Sequence, residues 1–136
     1  MGTRTDALVD GILLRLRCYK IVVTEDPEKA FLQVALRSED RSTTRFLFVG
    51  DTAKQPTKVN LVTFRFQRIP FAAVSSPFIL TAVVNHHLRK SKNTVAEELM
   101  RDTYVDNVFI GADNEIAAKR KVQQAKQFFA SAGMKV

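Results

Sequence analysis

Two aspartates in this chain stand where a short apolar segment ends. Asp26 comes three residues after the apolar run Ile21-Val22-Val23, and Asp106 lies within Tyr104-Val105-Asp106-Asn107. Two carboxylates that a fold brings together can hold a pair of divalent cations about 3.5–4 Å apart, which neutralise the charge developing on attacking and leaving oxygens. Mg²⁺ prefers such hard oxygen ligands. The two aspartates therefore predict a two-metal site for phosphoryl transfer.

Each aspartate also has an ordinary structural interpretation. Asp26-Pro27-Glu28 is typical of a helix start, with aspartate as the cap and proline in the first turn. Asp106-Asn107 is typical of a tight turn, because both residue types tolerate positive φ. Taken singly, each aspartate favours the structural interpretation, so the metal-site hypothesis depends on the two being brought together. Glu25 is expected to point away from Asp26, since alternate strand residues face opposite sides.

The composition indicates one globular domain that favours a polyanionic partner. The 136 residues are 46% hydrophobic, and 21 Lys and Arg against 14 Asp and Glu give a net charge of +7. The single cysteine, Cys18, excludes an internal disulfide and a Cys-rich zinc site. The longest apolar stretches fall short of the roughly 20 residues that span a bilayer, and the N-terminus is polar. We therefore expect an intracellular, cytoplasmic protein with no secretion signal and no membrane contact.

Apolar spacing predicts the elements in the first half of the chain. Apolar residues recur at three- and four-residue intervals from Leu8 to Leu16, which predicts a helix, and the run that follows predicts a short buried strand. Thr44 to Val49 and Val59 to Arg68 predict the arms of a hairpin. The second arm alternates, with Val62, Phe64 and Phe66 on one face and Thr63, Arg65 and Gln67 on the other.

Capping and turn residues predict the elements in the second half. Ser76-Pro77 and Thr94-Val95-Ala96-Glu97 are typical of helix starts, the latter with the spacing of a capping box. A hairpin from Thr103 to Ile110 is tipped by Asp106-Asn107, and Gly133 ends a last helix. The predicted order is α-β-α-ββ-αα-ββ-α.

Two polar clusters receive a structural interpretation only. His86 and His87 are neighbours on a helix and cannot both face one metal, so they are interpreted as a solvated helix end. Lys119, Arg120 and Lys121 are interpreted as a solvated helix face.

The order of elements predicts an α+β fold. Antiparallel strands with helices on one face suit a split βαβ arrangement, in which central strands can place Asp26 beside the hairpin that carries Asp106.

Three segments of the chain, in this order, resemble the reverse transcriptase of BEL/Pao retrotransposons. The run Asp26-Pro27-Glu28-Lys29-Ala30-Phe31-Leu32-Gln33-Val34 is similar to the family's Asp-Ile-Glu-Lys-Ala-Phe-Leu-Gln-Ile, and Asp40-Arg41 and Arg45-Phe46-Leu47 fit the stretch that follows. Pro70-Phe71-Ala72-Ala73-Val74-Ser75-Ser76-Pro77-Phe78 is similar to a Pro-Phe-Gly segment that ends in Ser-Ser-Pro-Phe. Tyr104-Val105-Asp106-Asn107 is similar to a Tyr-Val-Asp-Asp box.

The resemblance implies an RNA-directed DNA polymerase in which Asp26 and Asp106 are the catalytic residues. They would hold two Mg²⁺ ions, with Mn²⁺ as a substitute, and Asn107 would stand beside the metals in place of a second acidic residue. Phe31 falls where family members place an aromatic side chain that rejects ribonucleotides at the sugar 2′ position. The residues implied on the nucleotide and template side are Pro70, Phe71 and Ala72.

The same resemblance implies the fold and the partners. The fold is the polymerase palm, a split βαβ (ferredoxin-like) antiparallel sheet with helices on one face, plus a partial fingers hairpin. Residues 1–136 then form one partial reverse transcriptase domain, with the remaining fingers, thumb, RNase H and integrase regions outside it. The partners are an RNA or DNA template-primer, dNTPs and the rest of a retrotransposon polyprotein in a virus-like particle. Arg45, Arg65 and Arg68 are candidates for phosphate contacts.

Three departures from the family pattern keep a second hypothesis open. Pro27 removes a backbone amide that could contact a triphosphate, Ala72 adds a Cβ where glycine is usual, and Asn107 removes a negative charge near the metals. A decayed or domesticated copy would act only as a nucleic-acid-binding or structural module. In a nucleic-acid-binding module, Phe64 and Phe66 are expected to face solvent on central strands and stack on bases.

Overall fold

The computed structural model describes residues 3–71, 73–91 and 93–135, and the chain divides into two compact units, residues 1–30 with 77–136 and residues 31–76. The described helices are α1 (Thr3–Leu16), α2 (Ala30–Gln33), α3 (Ser76–Leu88), α4 (Thr94–Arg101) and α5 (Glu115–Ser131). The described strands are β1 (Ile21–Glu25), β2 (Arg45–Val49), β3 (Leu61–Arg65), β4 (Thr103–Tyr104) and β5 (Asn107–Ala112). This order of helices and strands is the predicted one. No helix within the described ranges combines the length and the hydropathy needed to cross a bilayer.

The first unit is built on a three-stranded antiparallel sheet with the order β1-β5-β4. Residues of β1 alternate between half-buried and exposed, so that Ile21, Val23 and Glu25 share one face. Helix α5 packs against β1 and β5. Ile21 and Val23 line a groove together with Ala118 and Val122 of α5, which shows that this helix covers the half-buried face.

The core of the first unit is formed by apolar side chains from the helices and from β5. Small residues, Ala96 of α4 and Ala125 of α5, are fully buried, and α4 and α5 contact each other there. The largest fully buried apolar side chains of this unit are Ile12, Leu80, Leu88, Leu99 and Val108. Burial of each such side chain contributes about 1.5–3 kcal/mol, so these residues fix how the helices pack on the sheet.

The helix ends agree with the sequence prediction at Gly133 and differ from it at α4. Gly133 has a φ of +74°, and its amide donates to Ala130 while the Met134 amide donates to Phe129, the bond pattern of a Schellman motif. At α4, the cap is Asn93 rather than Thr94, because the Asn93 side chain accepts a hydrogen bond of 2.8 Å from the Val95 amide. Thr94 is instead the first helical residue.

Lys121 is largely covered by the sheet and by α4, and the interpretation of Lys119–Lys121 as a solvated face is wrong for this residue. Its side chain is only 14% exposed and donates to Glu98 at 2.6 Å and to the Gly111 carbonyl at 2.9 Å. Its ammonium also lies 5.5 Å from the ring centroid of Tyr19. That ring lies so close to Gly111 that a Cβ at this position would overlap it. Lys121 therefore ties α5 to α4 and to β5.

We predict that Lys121→Met lowers the free energy of unfolding by about 2 kcal/mol, because it leaves a carboxylate and a carbonyl without their donor. Lys119→Met is the matched control, since Lys119 is highly exposed and its nearest carboxylate, that of Glu115, is 3.8 Å away. The control should lose less than about 0.5 kcal/mol. Urea unfolding of both variants measures the difference, and equal losses would contradict the role given to Lys121.

His87 also differs from its sequence interpretation. Its Nε2 lies 3.1 Å from the Phe128 carbonyl and 2.9 Å from the Ser131 hydroxyl, which ties α3 to the end of α5. His86 is exposed, as predicted. The pair is therefore divided, with one histidine solvated and the other in a helix–helix contact.

The second unit contains the predicted hairpin. Strands β2 and β3 pair antiparallel, with Arg45 opposite Arg65 and Phe46 opposite Phe64. Since cross-strand partners share a face, phenylalanines occupy one face of the hairpin and arginines the other, as the alternation predicted. The connecting loop is held by Asn60, whose side chain bonds to the backbone of Asp51, Lys54 and Gln55.

Candidate functional site

Asp26 lies in an extended segment between β1 and α2, and the interpretation of Asp26 as a helix cap is wrong. Helix α2 begins only at Ala30, because Lys29 takes a φ of +50° and interrupts any helix before it. The Asp26 side chain is exposed. Within the described part of the chain, no hydrogen bond or ion pair involves its carboxylate. Asp26 therefore presents a carboxylate that is exposed and unpaired among the described residues.

Asp106 lies in the two-residue turn between β4 and β5. Tyr104 pairs with Asn107, so the turn residues are Val105 and Asp106 rather than the predicted Asp106 and Asn107. Val105 has a φ of +58°, whereas Asp106 does not have positive φ, which is the pattern of a type II′ turn. Glycine normally takes the first position of such a turn, and a β-branched residue there is strained by about 1–3 kcal/mol.

The sheet register brings the two acidic segments to the same end of the first unit. Glu25, the last residue of β1, is opposite Val108 of β5. Asp26 directly follows Glu25 toward that end of the sheet. On the segment that leads into β5, Asn107 directly precedes Val108, and Asp106 directly precedes Asn107. Pro27 and Asp106 also line one small cavity of about 10 Å³. The pairing of β1 with β5 thus brings two segments that are about 80 residues apart in the chain to the same end of the sheet.

The oxygen atoms at this end of the sheet suit a hard divalent cation. Among the described residues, the Asp106 carboxylate accepts one hydrogen bond, of 3.4 Å, from the side-chain amide of Asn107. Among the described residues, no cluster of three or more His, Cys, Asp and Glu could hold a metal. A cation held by two carboxylates and an amide oxygen would still need ligands from elsewhere. Mg²⁺ commonly takes them from substrate phosphates and water.

Glu25 faces the other side of the sheet, as predicted from strand alternation. Its carboxylate lies 3.5 Å from the Lys126 ammonium on α5. The third acidic residue of this region is therefore paired on the helical face and is separated from Asp26 by the pleat of the strand.

A buried ion cluster at Asp102, which the sequence analysis missed, holds the hairpin that carries Asp106. Asp102 is only 3% exposed and accepts bonds of 2.8 Å from Arg15 of α1 and 2.8 Å from Arg101 of α4. The hydrogen bond that Arg101 donates to the Asp102 carboxylate raises the pKa of Arg101 above its ordinary value. The Asp102 carbonyl accepts a 3.1 Å bond from the Phe109 amide. The cluster therefore fixes the base of the β4–β5 hairpin.

We predict that Asp102→Ala lowers the free energy of unfolding by about 2 kcal/mol, because half-buried Arg15 and exposed Arg101 lose the buried carboxylate that they share. Asp113→Ala removes an exposed carboxylate next to the same hairpin and is the matched control. It should change stability by less than about 0.5 kcal/mol. Urea unfolding measures both, and a small effect at Asp102 would show that the cluster does not hold the hairpin.

The strain at Val105 leads us to predict that some substitutions there increase stability. Val105→Gly and Val105→Asn should each raise the free energy of unfolding by about 1 kcal/mol, because both residues accept positive φ more readily than valine. Val105→Ile keeps the branched side chain and should leave stability unchanged. Thermal unfolding of the three variants checks this, and destabilisation by glycine and asparagine alike would contradict the strain.

The residues predicted to contact the nucleotide lie in the second unit, where three of them come together. Phe31 is 7% exposed, and its ring meets that of Phe71 edge-on at a centroid distance of 5.5 Å. Phe71 is 77% exposed. The Pro70 carbonyl accepts a 2.7 Å bond from the hydroxyl of Ser76, which is buried. Ala72 lies outside the described residues.

The segments that carry these residues are held by backbone bonds. The Ile69 amide donates to Val34 at 3.1 Å, and the Leu36 amide donates to Gln67 at 3.0 Å. Arg68, one of the predicted phosphate contacts, bonds the Gln33 carbonyl at 3.2 Å. Its guanidinium is therefore partly committed to the fold of this unit.

The aromatic side chains of the alternative hypothesis are exposed, but in a different place from the one predicted. Phe64 and Phe66 are 43% and 39% exposed. They belong to the two-stranded hairpin β2–β3 and its continuation, and not to the three-stranded sheet.

Comparison with known proteins identifies the family of the chain. No curated protein matches the chain. The family model for reverse transcriptase, an RNA-dependent DNA polymerase, matches residues 2–136 and thus spans both compact units. The chain belongs to the reverse transcriptase family of nucleotidyltransferases.

Proposed function

We propose that this protein is the palm region of a BEL/Pao-type retrotransposon reverse transcriptase, which adds dNTPs to a primer 3′-hydroxyl on an RNA template through a two-magnesium site. The observation that carries the proposal is the β1–β5 register, in which Glu25 is opposite Val108. Asp26 and Asn107 adjoin this pair at the end of the sheet where Asp106 also lies. The three matching segments and the strand order β1-β5-β4, which suits a split βαβ sheet, also support it.

In this proposal, Asp26 and Asp106 hold the ions and the Asn107 amide oxygen assists. Two bound Mg²⁺ ions would supply activation of the primer 3′-hydroxyl and neutralise the charge developing on the phosphate oxygens. The contribution of the protein is to position the two carboxylates. Asp26 has no hydrogen bond to any other described residue, and the strained Val105 turn and the Asp102 cluster hold the hairpin that carries Asp106. A site held this way needs little reorganisation when substrate arrives.

Phe31 and Phe71 form the proposed sugar-facing wall of the second unit. Their edge-on contact fixes the ring of Phe31, so that a 2′-hydroxyl would meet a rigid surface rather than a mobile side chain. Phe71, which is largely exposed, offers apolar surface for the nucleotide, and Pro70 anchors the segment through Ser76.

Primer extension on an RNA template with Mg²⁺ tests the catalytic assignment. Asp26→Asn and Asp106→Asn should each lower the rate of dNTP incorporation at least 100-fold, because each removes a charged metal ligand. Glu25→Gln is the matched control, since it removes the neighbouring carboxylate that pairs with Lys126. Its rate should stay within about threefold of the parent, and melting curves check that all three variants fold.

Binding of Mn²⁺, followed by electron paramagnetic resonance, tests the metal site without requiring turnover. The parent and Glu25→Gln should bind the ion in the presence of dNTP, while Asp26→Asn should bind it at least tenfold more weakly, since it loses one of two carboxylates. A folded parent chain that binds no Mn²⁺ and extends no primer would contradict the proposal. That outcome would favour a decayed or domesticated copy that acts as a structural or nucleic-acid-binding module.

A further inference from the structure

The segment between β1 and α2 contains a strained turn directly after Asp26. The Ala30 amide donates to the Pro27 carbonyl at 3.1 Å, and Lys29 has a φ of +50°, which is the pattern of a type II turn. A residue with a Cβ disfavours positive φ. Such a backbone persists only where its surroundings hold it in place. The turn that follows Asp26 therefore depends on contacts from elsewhere in the chain.

Two bonds from Lys135 hold this turn at its second residue. The Glu28 amide donates to the Lys135 carbonyl at 2.8 Å, and the Lys135 ammonium lies 2.9 Å from the Glu28 carboxylate. A backbone bond and an ion pair thus join the same two residues, so that both the main chain and the side chain of Glu28 are restrained. We call these two residues the 28–135 pair.

The end of α5 determines where Lys135 lies. The Schellman motif at Gly133 turns the chain, and Met134, the residue before Lys135, is only 5% exposed. Met134 lines the same small cavity as Pro27 and Asp106. Lys135 is therefore attached to a buried neighbour that contacts the segments of both aspartates, and its bonds to Glu28 start from a fixed position.

The exposure of the 28–135 pair indicates that it contributes more to position than to stability. The side chains of Glu28 and Lys135 are 52% and 80% exposed, and ion pairs exposed in this way add little to the stability of a fold. Glu28 is, however, the second residue after Asp26, whose carboxylate has no bond among the described residues to orient it. The position of that carboxylate then depends on its backbone, and the backbone depends on the turn.

We propose that Glu28 and Lys135 are positioning residues for Asp26. Through the turn, they hold its carboxylate where a divalent cation can share it with Asp106. The inference rests on the proposed function, because it gives Asp26 the role of a metal ligand. Neither residue of the pair is assigned as a ligand, since their charged groups are engaged with each other. Groups that orient a metal ligand typically contribute about 10- to 100-fold to metal affinity.

Binding of Mn²⁺ to the whole chain at saturating dNTP, followed by electron paramagnetic resonance, tests the proposal. Lys135→Gln should bind Mn²⁺ about tenfold more weakly than the parent, because the turn loses its ion pair. The direction of this effect is decisive, since the removal of a positive charge near a cation site would by itself strengthen cation binding. Equal or tighter binding by Lys135→Gln would overturn the proposal.

Two further variants separate the 28–135 pair from net charge and from general stability. Glu28→Lys with Lys135→Glu exchanges the charges and keeps the pair, so its affinity for Mn²⁺ should stay within about threefold of the parent. Lys119→Gln is the matched control, since it breaks the exposed pair of Lys119 with Glu115 on α5 and should leave binding unchanged. All variants should melt within about 3 °C of the parent. Weak binding by the exchanged pair, or an equal loss in the control, would overturn the proposal.

Hydrogen exchange of the metal-free chain measures the turn directly. The Glu28 and Ala30 amides should exchange at least about threefold faster in Lys135→Gln than in the parent, because the bonds that they donate open more often. Unchanged exchange would overturn the proposal, since the pair would then not hold the turn.

Failure of this inference and failure of the proposed function give different results. A parent chain that binds Mn²⁺ no more tightly than Lys135→Gln overturns the positioning role alone. A folded parent chain that binds no Mn²⁺ removes the metal role from Asp26, and the positioning role is then overturned with it.

Discussion

The pairing of β1 with β5 is the interaction on which the first unit depends. Side chains along a strand alternate between faces, so a slip of one residue would move Ile21 and Val23 away from α5 and turn Glu25 toward the opposite side. It would also separate Asp26 from the end of β5. The same register thus decides both which residues form the core and which acidic segments reach the same end of the sheet.

Local patterns in the sequence were sufficient for the order of elements, for the two faces of the hairpin and for the helix end at Gly133. Each of these depends on residues within a few positions of one another. The buried cluster at Asp102 could not be predicted in this way, because Arg15 is 87 positions away and no local signal connects them. Lys121 could have been found, since it lies three residues after Ala118 and four before Ala125, on the buried stripe of α5.

The roles of the candidate site residues stay predictions, and their local geometry was predicted only in part. The aspartates were identified from their positions at the ends of apolar runs, but the turn was placed one residue too late. Asn107 pairs with Tyr104 as part of the ladder, which leaves Val105 to take the positive φ that asparagine would accept more easily. At Asn93 and Thr94, two capping residue types stand side by side, and only the geometry of the first turn chooses between them.

The first unit contains two aspartates in opposite environments. Asp102 is enclosed and receives two guanidinium groups, whereas Asp26 is exposed and receives no partner from the described residues. An enclosed carboxylate without such partners would be costly to bury. An exposed one remains free for a cation, and on a chain of net charge +7 it marks a local region of negative potential.

The distance in sequence between Arg15 and Asp102 also determines when this region can become ordered during synthesis. At about 5–20 residues per second, the ribosome adds the 87 intervening positions over several seconds. During that time α1 has been made but its carboxylate partner has not, while the second unit, whose pairings are shorter in range, can already close. The β4–β5 hairpin, whose base is held by the Asp102 cluster, therefore reaches its final geometry only after both of these distant parts of the chain have been made.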